Sequence, residues 1–306
     1  MARTSAERRA LRAALAWLLA AVLSFLAHAS AWAALGIDAV VVANRSGSGT
    51  SITSPALSTA AGGELLLAFV ATDARSPGMT VTGVTGGGLA WVLVRRTNAQ
   101  LGTAEVWRAF AAAPLAGVTV RANLSQSVAA SITVVGFTGA DTGGSNGAGA
   151  IGATGGASAN SGAPAASLVT TRDNSWVFGV GNDYDRAVAR TVPAGQALVS
   201  QYLATIGDTY WVQRQGAPSA AAGTVVAIND TAPTTDRYNL SIVEVRAALP
   251  AGPTYSVSGS VAPASIGAGA TLTLSQGATP IASATADAGG AYRFASVTVA
   301  PAPRSR

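Results

Sequence analysis

There is no cysteine and no lysine anywhere in this chain of 306 residues, and its one histidine is His28. Without thiols the fold cannot rest on disulfides, whatever the redox state of its compartment. A chain cut after Ala33 would lack imidazole as well as thiol and amine side chains. That removes Ser-His-Asp and Cys-His triads, Ser-Lys dyads, Schiff-base lysines and zinc held by His or Cys. Carboxylates, hydroxyls, phenols and guanidiniums are what is left. Carboxylate chemistry and oxygen-ligated calcium are the two well-supplied options, and no other cofactor is called for.

Charge is also scarce, at 11% of residues, and the formal net charge of +5 is unevenly placed. Arg3, Arg8, Arg9 and Arg12 precede the first apolar run, with Glu7 the one acid among them. Beyond residue 33, fifteen arginines face thirteen acids and no basic cluster or stripe survives. The arginines there read as scattered and solubilising, and no nucleic-acid partner is expected.

The basic start leads into "AALAWLLAAVLSFLA" (13–27) and then Ala31-Trp32-Ala33, a small-residue exit. This order is that of a secretory signal peptide, here a helix within residues 1–33, cut before Ala34. The competing reading is an uncleaved anchor, since the span from Leu11 to Ala34 is long enough to cross a bilayer. Either way the protein is expected outside the cell or at its surface, touching membrane only through this segment.

Long helical periodicity is missing after residue 33. Short β-branched and aromatic runs recur instead, among them "GELLLAFVATD" (63–73), "TAEVWRAFA" (103–111), "SWVFGVG" (175–181) and "YNLSIVEVRA" (238–247). In the second, Ala104, Val106 and Arg108 alternate with Glu105, Trp107 and Ala109, a period of two. Gly, Asn, Asp, Ser, Thr and Pro separate the runs. The pattern predicts an all-β chain: a jelly-roll-like antiparallel β-sandwich over 34–249, followed by a small, incomplete second β-sandwich unit. "AGQALVSQYLATIG" (194–207) is read as strand from its alternation. The Gly/Ala/Ser-rich stretch 139–163 is either a flexible loop or glycine-rich edge backbone between sheet halves. Residues 250–253 form a linker, and the second unit runs over 254–306.

The second unit carries "YSVSGSV", "ATLTL" and "TADAGGAYRFASV". In these it resembles a carboxypeptidase regulatory-like (prealbumin-like) β-sandwich repeat of bacterial surface proteins, over residues 254 to about 299. Asp287 is expected to cap the turn, with Gly289 or Gly290 taking positive φ. Tyr292 and Phe294 should then share one face of the next strand. The resemblance implies further strands that "APAPRSR" does not supply, hence a truncated unit. The large unit, through "LLLAFV", "SWVFGVGNDYDRAVART", "GDTYWVQRQ" and "TAPTTDRYNLSIVEV", resembles an uncharacterised module of secreted bacterial multidomain proteins. That resemblance implies secretion and modularity rather than a reaction.

"GNDYDRAVAR" (181–190) concentrates charge in a charge-poor chain. Asp183 and Asp185, with Asp208, could ligate calcium, although EF-hand spacing fails. The alternative is a loop in which the aspartates bond backbone N–H groups and pair with Arg186 or Arg190. Asp141-Thr142-Gly143 matches the aspartic-protease triplet, but in one copy within low-complexity sequence. "GAGAIG" (147–152) lacks the strand-to-helix context of a dinucleotide site. Glu64, Glu105 and Glu244 are the glutamates beyond residue 33. Glu105 and Glu244 lie in strand patterns, where a solvent-facing acid is ordinary. Among the aromatics, Trp107 and Trp176 are expected in the core, while Tyr184 and Tyr210 are expected to be exposed and able to stack on a sugar ring.

These readings converge on an exported, non-catalytic recognition or scaffolding protein, with extracellular polysaccharide or cell-surface glycan as its partner. The alternatives are a carboxylate-based polysaccharide hydrolase or lyase, and a structural spacer in a multidomain surface protein.

Overall fold

The computed structural model describes residues 34–249 and 254–298. The expected signal-peptide helix (1–33), the expected linker (250–253) and residues 299–306 lie outside the described residues. The chain divides into two compact units, with the boundary after Leu249. Among the described residues no helix is long and apolar enough to cross a membrane.

The first half of the large unit supplies β1 (Gly36–Thr53), β2 (Glu64–Thr72), β3 (Val81–Gly86), β4 (Val92–Thr97), β5 (Thr103–Ala111) and β6 (Val120–Thr138). They form one antiparallel sheet in the order β1-β6-β2-β5-β4, with β3 added along the first part of β6. The second half supplies β7 (Ile151–Gly162), β8 (Ala165–Val169), β9 (Trp176–Asp183), β10 (Gln196–Leu203), β11 (Thr209–Gln215), β12 (Val225–Asn229) and β13 (Asp236–Val245). Five of these make a second sheet, β10-β11-β9-β13-β7, and β8 pairs with β12 as a separate ribbon. The chain is an all-β sandwich, as the short alternating runs predict.

The period of two decides which core each side chain joins. Along β2, Leu65, Leu67, Phe69 and Ala71 enter the core between the two sheets, with Val106, Val135 and Phe137 from the first sheet and Trp176, Phe178, Tyr210 and Val243 from the second. Phe178 sits at the centre. It stacks with Phe69 at 6.1 Å and meets Phe137 and Trp176 edge-on at 5.0 and 5.3 Å. Each such pair adds about 0.5–1.5 kcal/mol beyond the area it buries.

The alternate residues of β2, Leu66, Ala68 and Val70, face the other way and are equally buried, against Leu57, Met79, Val81 and Trp107. The second sheet is covered likewise: Val177, Trp211, Leu240 and Ile242 lie under Ala166, Leu168, Val226 and Ile228 of the β8–β12 ribbon. Central strands therefore have no solvent face. This explains why β2 and β9 read as near-continuous apolar runs rather than alternating with polar residues. Trp107 and Trp176 are both core residues, each 8% exposed.

The glycine-rich stretch resolves in favour of edge backbone. After a short 3-10 turn at Ala148–Ala150, its second half is β7, which pairs with β13 and ends the second sheet. Its glycines make room for neighbours. A Cβ on Gly152 would overlap the Glu244 carboxylate, and one on Gly155 would stand 3.1 Å from Ile242. The 194–207 segment forms β10, with a bulge between Leu198 and Ser200.

The small unit has β14 (Thr254–Ser260), a single helical turn α1 (Ala264–Gly267), β15 (Thr271–Gln276), β16 (Thr279–Thr285) and β17 (Ala291–Thr298). β14 pairs with β17 and β15 with β16, giving two two-stranded sheets. Asp287 Oδ1 accepts the N–H groups of Gly289 (2.8 Å) and Ala291 (2.9 Å), and Gly290 has φ +79°. The turn is built as the sequence predicts. Tyr292 and Phe294 share a face, their rings 5.6 Å apart. Phe294 and Val297 are buried, whereas Tyr255 and Val257 border an open apolar groove of about 460 Å³ with Leu274 and Ile281.

Candidate functional site

The glutamates correct one expectation. Glu105 and Glu244 are fully buried, not solvent-facing, because each lies under a second layer. Glu105 accepts hydrogen bonds from the Val81 N–H (2.7 Å), Arg96 Nε (2.8 Å), Thr103 Oγ1 (3.0 Å) and Trp107 Nε1 (3.0 Å). Glu244 accepts from the Ala153 and Thr171 N–H groups, both at 2.7 Å, and from Thr171 Oγ1 at 2.8 Å. Burial pushes the Glu244 pKa up, but the donors around it, Ser175, Ala153 and Thr171, hold it below the usual glutamate value. Both acids act as cross-links between segments rather than as groups presented to a cleft.

The charged stretch 181–190 begins where β9 ends. Asp183 Oδ1 accepts the N–H groups of Asp185 (2.8 Å) and Arg186 (3.3 Å), closing a turn around its own side chain. Its Oδ2 takes a hydrogen bond from Arg190 Nη2. Both side chains are fully buried. The Arg190 guanidinium lies 4.4 Å above the Trp211 ring, and its Nε is 4.0 Å from Asp230 Oδ2. Arg186 binds Asp236 through Nε at 2.8 Å, and Asp185 Oδ2 accepts the Arg237 N–H at 2.8 Å. The loop is thus the Asp–Arg network that the spacing allowed. Asp236, which opens β13 beside β9, and Asp230, which follows β12 of the ribbon, complete it. No local signal in the sequence marks those two, since both are brought in by strand pairing.

Burial raises Asp183 and sets it against the lowering pull of Arg190. Burial likewise lifts Asp230 to about 7, against the lowering pull of Arg190 and Gln213. Asp236 stays below its ordinary value despite burial, because Arg186 holds it.

Asp208 lies apart from this pair. It is buried and takes a 2.8 Å hydrogen bond from the Tyr210 hydroxyl. Burial raises its pKa to about 7, with Asp73, Asp183 and Asp185 adding like-charge repulsion. The three acids grouped as calcium ligands thus hold different partners: Asp183 has Arg190, Asp185 has Arg237, and Asp208 has Tyr210. Among the described residues no three His, Cys, Asp or Glu side chains are gathered so as to hold a metal ion.

Tyr210 corrects a second expectation. It is fully buried, because Asp208 satisfies its hydroxyl and lets the ring enter the central core. Tyr184 is half-buried, its hydroxyl 3.4 Å from the Ala74 carbonyl and its ring under Arg237 at 5.6 Å.

An open polar cleft lies elsewhere, in the seam between the two sheets. β4 ends the first sheet and β7 ends the second, so two strand edges border a cavity of about 370 Å³. Arg95, Arg96, Thr97 and Asn98 line one side, and Gly156 and Ser158 the other. A bulge between Leu93 and Arg95 breaks the alternation of β4. Leu93 packs on the outer core and Arg96 pairs outward with Glu105, while Thr97 Oγ1 meets Ser241 Oγ of the second sheet at 2.8 Å. Arg95 is turned by the bulge to the same side as Thr97. Its guanidinium lies against β7, where a Cβ on Gly156 would overlap Thr97 Oγ1 and stand 2.9 Å from Arg95 Nη2. Arg95 Nε is buried with no acceptor. In the sequence, Arg95 is one more scattered arginine; neither the bulge nor the facing glycine can be read from it.

The chain matches no protein-family model, no curated protein and no solved structure.

Proposed function

We propose that this protein is an exported, non-catalytic β-sandwich recognition module that binds extracellular polysaccharide. The small unit serves as a carboxypeptidase regulatory-like spacer that presents it at the cell surface. The observation that carries this reading is the cleft between β4 and β7. It is open, lined by hydroxyl, amide and guanidinium groups, and contains no carboxylate. Such donors suit sugar hydroxyls and ring oxygens, whereas glycoside hydrolysis needs two carboxyls flanking the bond. The buried, fully engaged state of Glu105 and Glu244 supports binding over hydrolysis in the same way. A glycan array followed by calorimetric titration tests the proposal. Saturable binding with no release of reducing ends is expected; turnover of the bound glycan would replace this reading with a hydrolase or lyase.

A further inference from the structure

We infer that the β4–β7 cleft is selective for acidic polysaccharide, with Arg95 holding the carboxylate of a uronic acid residue. This rests on the polysaccharide reading above and names the ligand class of that site.

The argument starts from the state of Arg95. Arg96 beside it is matched by Glu105 at 2.8 Å, so its charge is already answered. Arg95 has no such partner. Its Nε is buried without an acceptor, and no ion pair or hydrogen bond engages the guanidinium among the described residues. A buried donor left unmatched is a standing free-energy penalty that a ligand acceptor removes. The planar fork of an arginine fits a carboxylate through two parallel N–H···O bonds.

The surroundings point the same way. Lining residues Thr97, Asn98 and Ser158 are uncharged and polar, so the cleft carries one unanswered positive charge among groups suited to sugar hydroxyls. Gly156 keeps the β7 wall flat against the guanidinium, and any side chain there would displace Arg95 or Thr97. The glycine-rich composition of β7 thus has a use at this position beyond edge backbone. The cleft is bounded by two strand edges and open along the seam, which suits a chain polymer passing through rather than a small ligand enclosed.

The test is calorimetric titration of the full chain with oligogalacturonate, with a neutral malto-oligosaccharide of equal length and with poly-L-glutamate. Oligogalacturonate is expected to bind at least about tenfold more tightly than the neutral sugar, the worth of one charge-assisted hydrogen-bond pair. Arg95→Gln should remove that advantage, and Arg95→Lys should retain part of it. Ser158→Asp, which answers the cationic charge from the β7 side, should mimic Arg95→Gln and keeps the test valid if the first variant folds poorly. Arg121→Gln, an equal charge change on the exposed part of β6, should leave binding unaltered. Equal affinity for neutral and acidic oligosaccharides, unmoved by Arg95→Gln, would overturn the acidic selectivity while leaving polysaccharide recognition standing. Absence of binding to both sugars would overturn both. Arg95-dependent binding to poly-L-glutamate alone, or equal losses in Arg121→Gln and Arg95→Gln, would also overturn the inference.

Discussion

Arg190 illustrates how a buried charge is held here. Its guanidinium touches Asp183, lies over Trp211 and faces Asp230 without a hydrogen bond, all out of contact with water. Removing it leaves two carboxylates buried and unanswered, a larger penalty than the pair's own net worth. Arg190→Leu is therefore expected to lower unfolding free energy by about 3–5 kcal/mol in urea denaturation. A change below about 1 kcal/mol, the range of an exposed ion pair, would show that the network is solvated. The pH dependence has a definite sign. Asp208 and Asp230 have folded-state pKa values near 7, and Asp183 is also raised, all above the unfolded aspartate value. The folded state then binds more protons than the unfolded state between about pH 4 and 7. Stability from these groups is fully present below that window and is lost as pH rises through it. The melting temperature should fall from pH 5 to pH 8, and Asp230→Asn should flatten part of that slope. A melting temperature that rises over the same interval would contradict the assignment.

At the scale of elements, each central strand has a neighbour on both faces, and close approach is bought with glycine. Gly181 on β9 pairs with Trp211 on β11, and a Cβ there would overlap the indole ring. Gly181→Ala is expected to destabilise the sandwich by about 1–3 kcal/mol through overpacking, read as a lower denaturation midpoint with shifted tryptophan emission. In the small unit, Gly290→Ala meets both the positive φ and the Val261 carbonyl, so thermal unfolding of that unit should move to lower temperature. Strand runs, the 194–207 strand and the Asp287 turn were all legible in the sequence, because each is encoded by residues close together. The burial of Glu105, Glu244 and Tyr210 was not. Alternation shows that a strand has two faces but is silent on whether a second layer covers the outer one. Arg95 was invisible for a related reason: one inserted residue in β4 changes the side on which the arginine lies, and the glycine it rests on is some sixty residues away.

Within the large unit, two cores beyond the central one cover the outer faces of the two-sheet sandwich, Glu105, Glu244, Asp183 and Asp230 are buried, and a polar seam is open between β4 and β7. Glu105 and Glu244 tie segments of the scaffold together, and the seam is the place we propose for a ligand. Asp183, Asp185 and Asp208 each hold a different protein partner, so chelation by EDTA is expected to leave the melting temperature unchanged; a chelator-induced drop would place an ion among them.

Polysaccharide recognition at the β4–β7 seam, as proposed, is read out by hydrogen–deuterium exchange with and without oligogalacturonate. Protection confined to Val92–Thr97 and Ile151–Gly162, with the oligosaccharide recovered intact, is the expected result. Protection at the 181–190 loop with β4 and β7 unaffected, or cleavage of the oligosaccharide, would contradict it.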